Sequence, residues 1–278
     1  MSAAHEQAPD GPVPDGAISD VADEDRPNPA RMYDYALGGS ANFEADRRAV
    51  DESLALNPEG MLQARSNRAF LRRTVNTLAQ LGVRQFLDLG SGVPTAGHVH
   101  QIAQRADPAA RVVYVDNEPV AAAYSRELLA AVPGAAVLPV DLRDVHRVLN
   151  HPDTRRLLDL DEPVAVLMFA VLHFITSDQE VADLIAAYRD ATPPGSYLAI
   201  SHASYPDDPS INEMHQRFRV NTRTPFGNRT ADQVRALFTG YELLEPGVVP
   251  VSTWRPDPGP DPNRPSVEVS VGGVGARR

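Results

Sequence analysis

The sequence predicts an α/β fold: a doubly wound, mainly parallel sheet preceded by an N-terminal helical cap. Three observations carry this. From residue 84 onward, short apolar runs alternate with segments of helical spacing, the pattern of a sheet covered by helices on both faces. The first apolar run ends in a glycine-rich turn, "DLGSGVPTAG". Residues 27–82 have helical spacing and no strand-like run.

In chain order, residues 1–26 are rich in Ala, Pro, Asp and Gly and lack periodicity, so a disordered acidic tail is expected. Asn28 is suited to cap a short helix with Pro29 at its first position, and Gly38-Gly39 stops it. "FEADRRAVDESLAL" resumes helical spacing. "EGMLQARSNRAFLRRTVNTLAQLGV" reads as a long amphipathic helix with Leu62, Ala69, Phe70, Leu78 and Leu81 on its apolar face, ended by Gly82. Together these form the cap, 27–82. The core domain, 83–278, then has strands in "RQFLDLG", "RVVYVD", "AAVLPVD", "VAVLMFAVLHF" and "GSYLAISHAS". Helices in "AGHVHQIAQRA", "EPVAAAYSRELLAAV" and "SDQEVADLIAAYRDA" separate them. A helical insertion at 206–240 precedes two further strand-like runs, "YELLEPGVVPV" and "SVEVSVGGV", which makes about seven strands.

Composition narrows the chemistry. The 278 residues hold no cysteine, so disulfides, thiolate nucleophiles and cysteine-ligated metals are excluded. All 26 basic residues are arginine, so no lysine serves a Schiff base or a phosphate-binding loop. The formal net charge of -11 argues against nucleic acid as a partner. The longest apolar run is too short to span a bilayer, and the first residues lack the regions of a signal peptide. The expected location is cytoplasmic, without a membrane partner.

The turn after the first strand places Asp88, Gly90, Ser91 and Gly92 at the ligand crevice of such a sheet. Position 95, where a dinucleotide fingerprint has its third glycine, is threonine. That argues against an NAD(P) oxidoreductase, although the glycines also suit a plain tight turn. Asp116, ending the second strand with Asn117 beside it, is placed to accept both hydroxyls of a ribose. It is equally suited to cap the next helix, with Glu118 in its first turn. Asp141 and Leu142 follow the third strand, where they would face an adenine. Phe169 to His173 lie at the crevice edge of the fourth.

These motifs, in this order, resemble the class I S-adenosylmethionine-dependent methyltransferases, which have a Rossmann-like sheet of about seven strands with the last antiparallel. A closer resemblance, over "ARMYDYALGGSANFEADR", "NRAFLRR", "RQFLDLGSGVPT", "AVLHFI" and "GSYLAISHAS", is to an actinobacterial S-adenosyl methyltransferase family first known as a domain of unknown function. Ser40 and Ala41 stand where that family carries a Lys-Asp pair. The resemblance implies S-adenosyl-L-methionine as cofactor. Gly90, Ser91 and Gly92 would line its methionine and ribose, Asp116 and Asn117 the ribose, Asp141 and Leu142 the adenine, and Phe169 and Val171 the methyl donor. The acceptor implied is a small molecule.

Upstream, "RMYDYALGGSANF" is expected to fold over the crevice. Arg31 would pair with the donor carboxylate, Gly38 would let the backbone reverse beside the ligand, and Tyr33 would close the site. Arg65, Asn67 and Arg68 are further candidates for that carboxylate. His173 and Tyr33 are the candidate catalytic residues, with His202 and Asp34 behind them. Histidines at strand ends also serve as structural hydrogen-bonders. His98 and His100, two apart, are expected on different helix faces and no metal site is expected. Met214, Phe218 and Phe226 are expected on the acceptor side or in ordinary packing. A donor-binding sensor without turnover is the alternative function.

Overall fold

A computed structural model describes residues 23–93 and 97–278. The expected acidic tail lies outside them except for residues 23–26, as does Thr95. The cap consists of α1 (Pro29–Ala36), α2 (Glu44–Leu54) and α3 (Gly60–Gln80). Then follow β1 (Gln85–Leu89), α4 (Val99–Ala106), β2 (Arg111–Val115), α5 (Pro119–Leu129) and β3 (Ala135–Leu138). Two short helices, α6 (Val145–Asn150) and α7 (Pro152–Leu157), precede β4 (Ala165–Phe169). The chain continues through α8 (Asp178–Asp190), β5 (Tyr197–Ala203), α9 (Pro209–Thr222), α10 (Ala231–Ala236), β6 (Tyr241–Leu243), β7 (Val249–Pro250) and β8 (Ser270–Arg277).

The sheet has eight strands in the order β3-β2-β1-β4-β5-β8-β6, with β7 also on β8. The first five are parallel and β8 runs antiparallel to β5. β6 and β7 both pair with the edge of β8 that β5 leaves free, β6 near its end and β7 near its start. The single run read in "YELLEPGVVPV" is thus two strands sharing one lane. The last strand begins four residues later than its hydrophobic alternation suggests. Rings supply the packing there instead of side chains of its own. A Cβ on Gly272 would lie 2.5 Å from Phe70 Cε1, and one on Gly275 2.8 Å from Tyr241 Cβ.

Side chains alternate between two cores. Leu87, Val113, Val166 and Met168 point to the face covered by α6, α7, α8 and α10. Phe86, Val112, Leu167 and Ala199 point to the face covered by α3 and α4. Phe70, Leu71, Val75 and Leu78 place α3 inside this second core, with Phe70 edge-on to Phe169 and Trp254 at 5.4 Å. Leu81 does not join them: it is the C-cap, past the last helical turn, and is exposed. Arg73 ties α3 down further, its guanidinium donating to the carbonyls of Val251 and Trp254.

The first two helices are held differently. Asn28 caps α1 by accepting from Ala30 N–H at 2.8 Å, with Pro29 next, as expected. Gly38, at φ +84°, receives the chain as α1 ends. Arg31 points inward and is 2% exposed. Its Nε donates to Asp46 Oδ2 at 2.8 Å and its Nη1 to Glu118 Oε1 at 2.7 Å, while Nη2 donates to the carbonyls of Asp23 and Arg26. Asp46 also accepts from the backbone N–H of Asn28 and Phe43. Ala41 packs with Val93 and Ala121 in a small apolar cluster.

Removing one member of a buried ion pair strands the others. Arg31→Met is expected to lower the unfolding free energy by about 3–5 kcal/mol. Urea denaturation checks this; a loss under about 1 kcal/mol would mean the network carries little of the cap's docking.

Candidate functional site

The chain reverses its winding between β1 and β4, and a crevice opens at the carboxyl ends of these strands. A cavity of about 640 Å³ occupies it. Gly90 follows β1 at φ +73°. A Cβ there would lie 2.7 Å from Val171 Cβ, so only glycine lets the turn after β1 pass the turn after β4. Ala170 in that second turn takes φ +50°, held by Ser201, whose carbonyl and Oγ both accept its N–H.

Asp116 is buried at the cavity wall, with Oδ2 accepting Gly92 N–H at 2.7 Å and Oδ1 accepting Glu118 N–H at 2.9 Å. Each oxygen retains capacity for another donor. Burial raises its pKa despite those two bonds. The cap of α5 is Glu118, not Asp116: its Oε2 accepts Ala121 N–H at 2.6 Å. Asp141 is fixed by Arg143 through Nε at 3.0 Å and Nη2 at 2.6 Å, with Asn117 Nδ2 at 3.4 Å. Those bonds hold its carboxyl below the usual range. Asp88 lies deeper. Burial pushes its carboxyl up to about 7, opposed by the Arg68 charge and reinforced by Asp116.

α1, α2 and α3 form the facing wall through Met32, Tyr33, Leu54, Asn67 and Arg68. Five atoms on cavity-lining residues are buried without a hydrogen-bond partner: Asn67 Oδ1, Arg68 Nε, Ser91 Oγ, His173 Nδ1 and His215 Nε2. Buried polar atoms are normally paired, so each is open to a ligand.

Residues 16–278 match the sequence profile described as S-adenosyl methyltransferase. The chain belongs to this family. It is similar to the crystal structure of a candidate methyltransferase from Thermobifida fusca YX. That chain is 40% identical with a TM-score of 0.86, and the match covers 92% of this chain and 97% of that one. It is also similar to a DUF574 family protein from Streptomyces avermitilis MA-4680, at 33% identity and TM-score 0.86, over 92% and 99% of the two chains. A search of curated proteins found no match. The activity is S-adenosylmethionine-dependent methyl transfer and the cofactor is S-adenosyl-L-methionine.

For an S-adenosyl methyltransferase the residues present fit the donor. At Gly92 the backbone borders open space that a Cβ would fill, and unpaired buried polar atoms belong to the same cavity lining. Of the expected site residues, Tyr33, Asp88, Gly90, Ser91, Gly92, Asp116, Asn117, Asp141, Leu142, Phe169, Val171 and His173 line one cavity. Arg31 and Gly38 do not. Arg31 spends its donors on the carboxylates and carbonyls behind the cap, and Gly38 serves the end of α1. Arg65 is exposed and does not line the cavity.

The candidate bases are also changed. Tyr33 Oη donates to Ala64 O at 3.1 Å and accepts from Asn67 Nδ2 at 3.0 Å, which anchors the ring to α3. Asp34 is buried and accepts from Asn42 Nδ2, outside the cavity lining. His202 Nδ1 meets Ala203 O at 2.7 Å and Nε2 meets Arg229 Nη1 at 2.9 Å. A carbonyl only accepts and a guanidinium only donates, so the proton is on Nδ1 and the other lone pair is taken. His173 is held well below the usual histidine range by burial first, then by His202, His215 and Arg229. His98 and His100 do not diverge: His98 precedes α4 as its N-cap, which stacks the two rings at 5.2 Å. Among the described residues no group of three or more His, Cys, Asp or Glu gathers to hold a metal, and no helix is long and apolar enough to cross a membrane.

Arg229 was not foreseen. It comes from the insertion, is 3% exposed, and crosses to Asp178 and to the carbonyls of Leu172 and Ile175. No local motif marks it, since its partners are remote in sequence.

Asp88 yields a pH prediction. Its folded pKa is raised above the unfolded value near 3.9. Stability is therefore full below about pH 4 and falls as pH rises toward 7. Asp88→Asn removes that penalty. It should stabilise the protein by about 2–4 kcal/mol at pH 8 and by almost nothing at pH 4. Urea midpoints at the two pH values check this; an equal effect at both would overturn it.

Proposed function

We propose that the chain transfers the methyl group of S-adenosylmethionine to a small-molecule acceptor inside this cavity, by alignment and exclusion of water rather than by a dedicated base. The observation that carries the reading is the glycine turn at the β1–β4 reversal, with Asp116 fixed by Gly92 and Glu118 beside it.

When bound, S-adenosylmethionine supplies a methyl group activated by a sulfonium. Asp116 would accept the two ribose hydroxyls, because its backbone bonds leave a lone pair on each oxygen. Asn117, Asp141 and Leu142 would hold the adenine. Gly90, Ser91, Phe169 and Val171 would flank the methionine chain. Asp88 and the unpaired Oδ1 of Asn67 would answer its ammonium, and the unpaired Nε of Arg68 its carboxylate; Asn67 is thus not the carboxylate partner expected, because its Nδ2 is given to Tyr33. Residues 27–82 would act as a roof, with Met32, Tyr33 and Leu54 keeping water from the methyl group. Positive charge disperses during such a displacement, so a dry, oriented site speeds it without a proton acceptor. Residues 206–240 would form the acceptor side.

Calorimetry with S-adenosylhomocysteine and with NAD tests the donor. Asp116→Ala should weaken S-adenosylhomocysteine binding by at least tenfold, about 1.4 kcal/mol or more. Unchanged affinity would remove the ribose assignment, and NAD binding in place of S-adenosylhomocysteine would sink the reading. Release of S-adenosylhomocysteine from metabolite extracts then reports turnover.

A further inference from the structure

The cavity has two chemically different halves. The half at the tips of β1, β2 and β3 carries the carboxylates, Asp88, Asp116, Glu118 and Asp141, together with Arg68 and Arg143. The half beneath α9 carries no carboxylate and no guanidinium. There the wall is built of rings. Phe226 is the hub, with ring centres of His215 at 4.4 Å, His173 at 4.9 Å and Phe218 at 5.6 Å. Phe174 stacks on Phe218 at an interplanar angle of 12°, and Tyr205 stands edge-on to His215 at 4.6 Å.

From this wall we infer the acceptor class: a flat, uncharged arene that carries at least one hydroxyl. The inference rests on the assignment of the other half to the donor. Rings of this kind prefer offset or edge-to-face partners with centroids 4.5–7 Å apart, which a flat arene satisfies and an aliphatic chain does not. Among the described residues lining this half none is cationic; Arg219 of α9, on the adjoining cleft, gives Nη1 to the Phe226 carbonyl at 3.5 Å. Arg229 behind it is matched by Asp178 and backbone carbonyls. A cation is attracted to ring faces, but it would share the space with the donor's sulfonium and find no carboxylate to offset it.

The hydroxyl follows from two orphaned histidines. His173 Nδ1 and His215 Nε2 are buried without a partner, and no hydrogen bond reaches either ring from the described residues. Burial also keeps both neutral, His215 down to about 4. A neutral imidazole offers one donor and one acceptor. A hydroxyl, which is both, complements either ring.

The test measures binding to the full chain saturated with S-adenosylhomocysteine. Phenol, 1-naphthol and 1-hydroxyanthraquinone are compared with 1-naphthoate and 1-naphthylmethylammonium by calorimetry. At least one neutral member should bind at least tenfold more tightly than both charged ones. Phe226→Leu and Phe218→Leu should each weaken that binding by at least fivefold while S-adenosylhomocysteine affinity stays within twofold, which also shows that the variants fold. Naphthoate or the ammonium binding as well as the neutral compounds would overturn the inference. So would failure of every neutral compound to bind, or binding that both variants leave intact. If the neutral arenes bind but S-adenosylhomocysteine does not, the ring wall stands and the donor assignment falls.

Discussion

Everything around the cavity depends on Arg31 reaching from α1 to Glu118. Glu118 caps α5 with one carboxylate oxygen and receives Arg31 on the other, while its backbone N–H holds Asp116. The N-terminal cap and the carboxylate proposed for the ribose thus belong to one hydrogen-bonded chain. Desolvating two carboxylates and a guanidinium is expensive, and such groups seldom gain net stability from pairing. What they gain here is position. Asp46 is satisfied by two further N–H groups, and the guanidinium by two carbonyls, so the arrangement has one well-satisfied geometry. A cap docked through apolar contact alone would slide; this one has a fixed register relative to α5.

A second constraint opposes the first. Asp88, Asp116 and Glu118 crowd within one wall, and burial raises all three pKa values. Of these only Glu118 has a full counter-charge at ion-pair distance. The negative charge left on the cavity side is poorly compensated by protein, since Arg68 makes no ion pair and keeps a buried Nε unpaired. A donor carrying positive charge offsets this imbalance. Under the donor assignment proposed above, the site would trade stability of the chain alone for affinity, which is common where function requires buried charge.

The sheet was legible because its strands are apolar runs bounded by turn residues, and a buried parallel strand has few other ways to look. The glycine turn, Asp116 and Asp141 were legible because backbone chemistry confines them to strand ends. Three things were not. The helices α6 and α7 are six residues each, too short to show a period. The split of β6 and β7 depends on which edge of β8 is free, a long-range fact. The role of Arg31 was misplaced because spacing brings it near the crevice but cannot say which way it turns. Its partners, Asp46 and Glu118, are 15 and 87 residues away. The polar density of "RMYDYALGGSANF" is thus divided: Arg31, Asp34 and Asn42 face inward to hold the cap, and Tyr33 faces the cavity.

The same division explains why no base is prominent. A histidine able to carry a proton near neutral pH needs water or a carboxylate beside it. His202 faces Arg229, and His173 faces aromatic rings, two neutral histidines and that same arginine. Burial is the leading cause of the low pKa of both, and the Arg229 charge adds to it. The same rings build the wall beneath α9. A site that recognises an uncharged arene and a site that stores a proton make opposite demands on dielectric. The ring wall proposed for the acceptor suits the first. Chemistry that proceeds by aligning an activated methyl group with its acceptor is compatible with that choice, and the hydroxyl proposed to meet the two orphaned histidines then serves recognition.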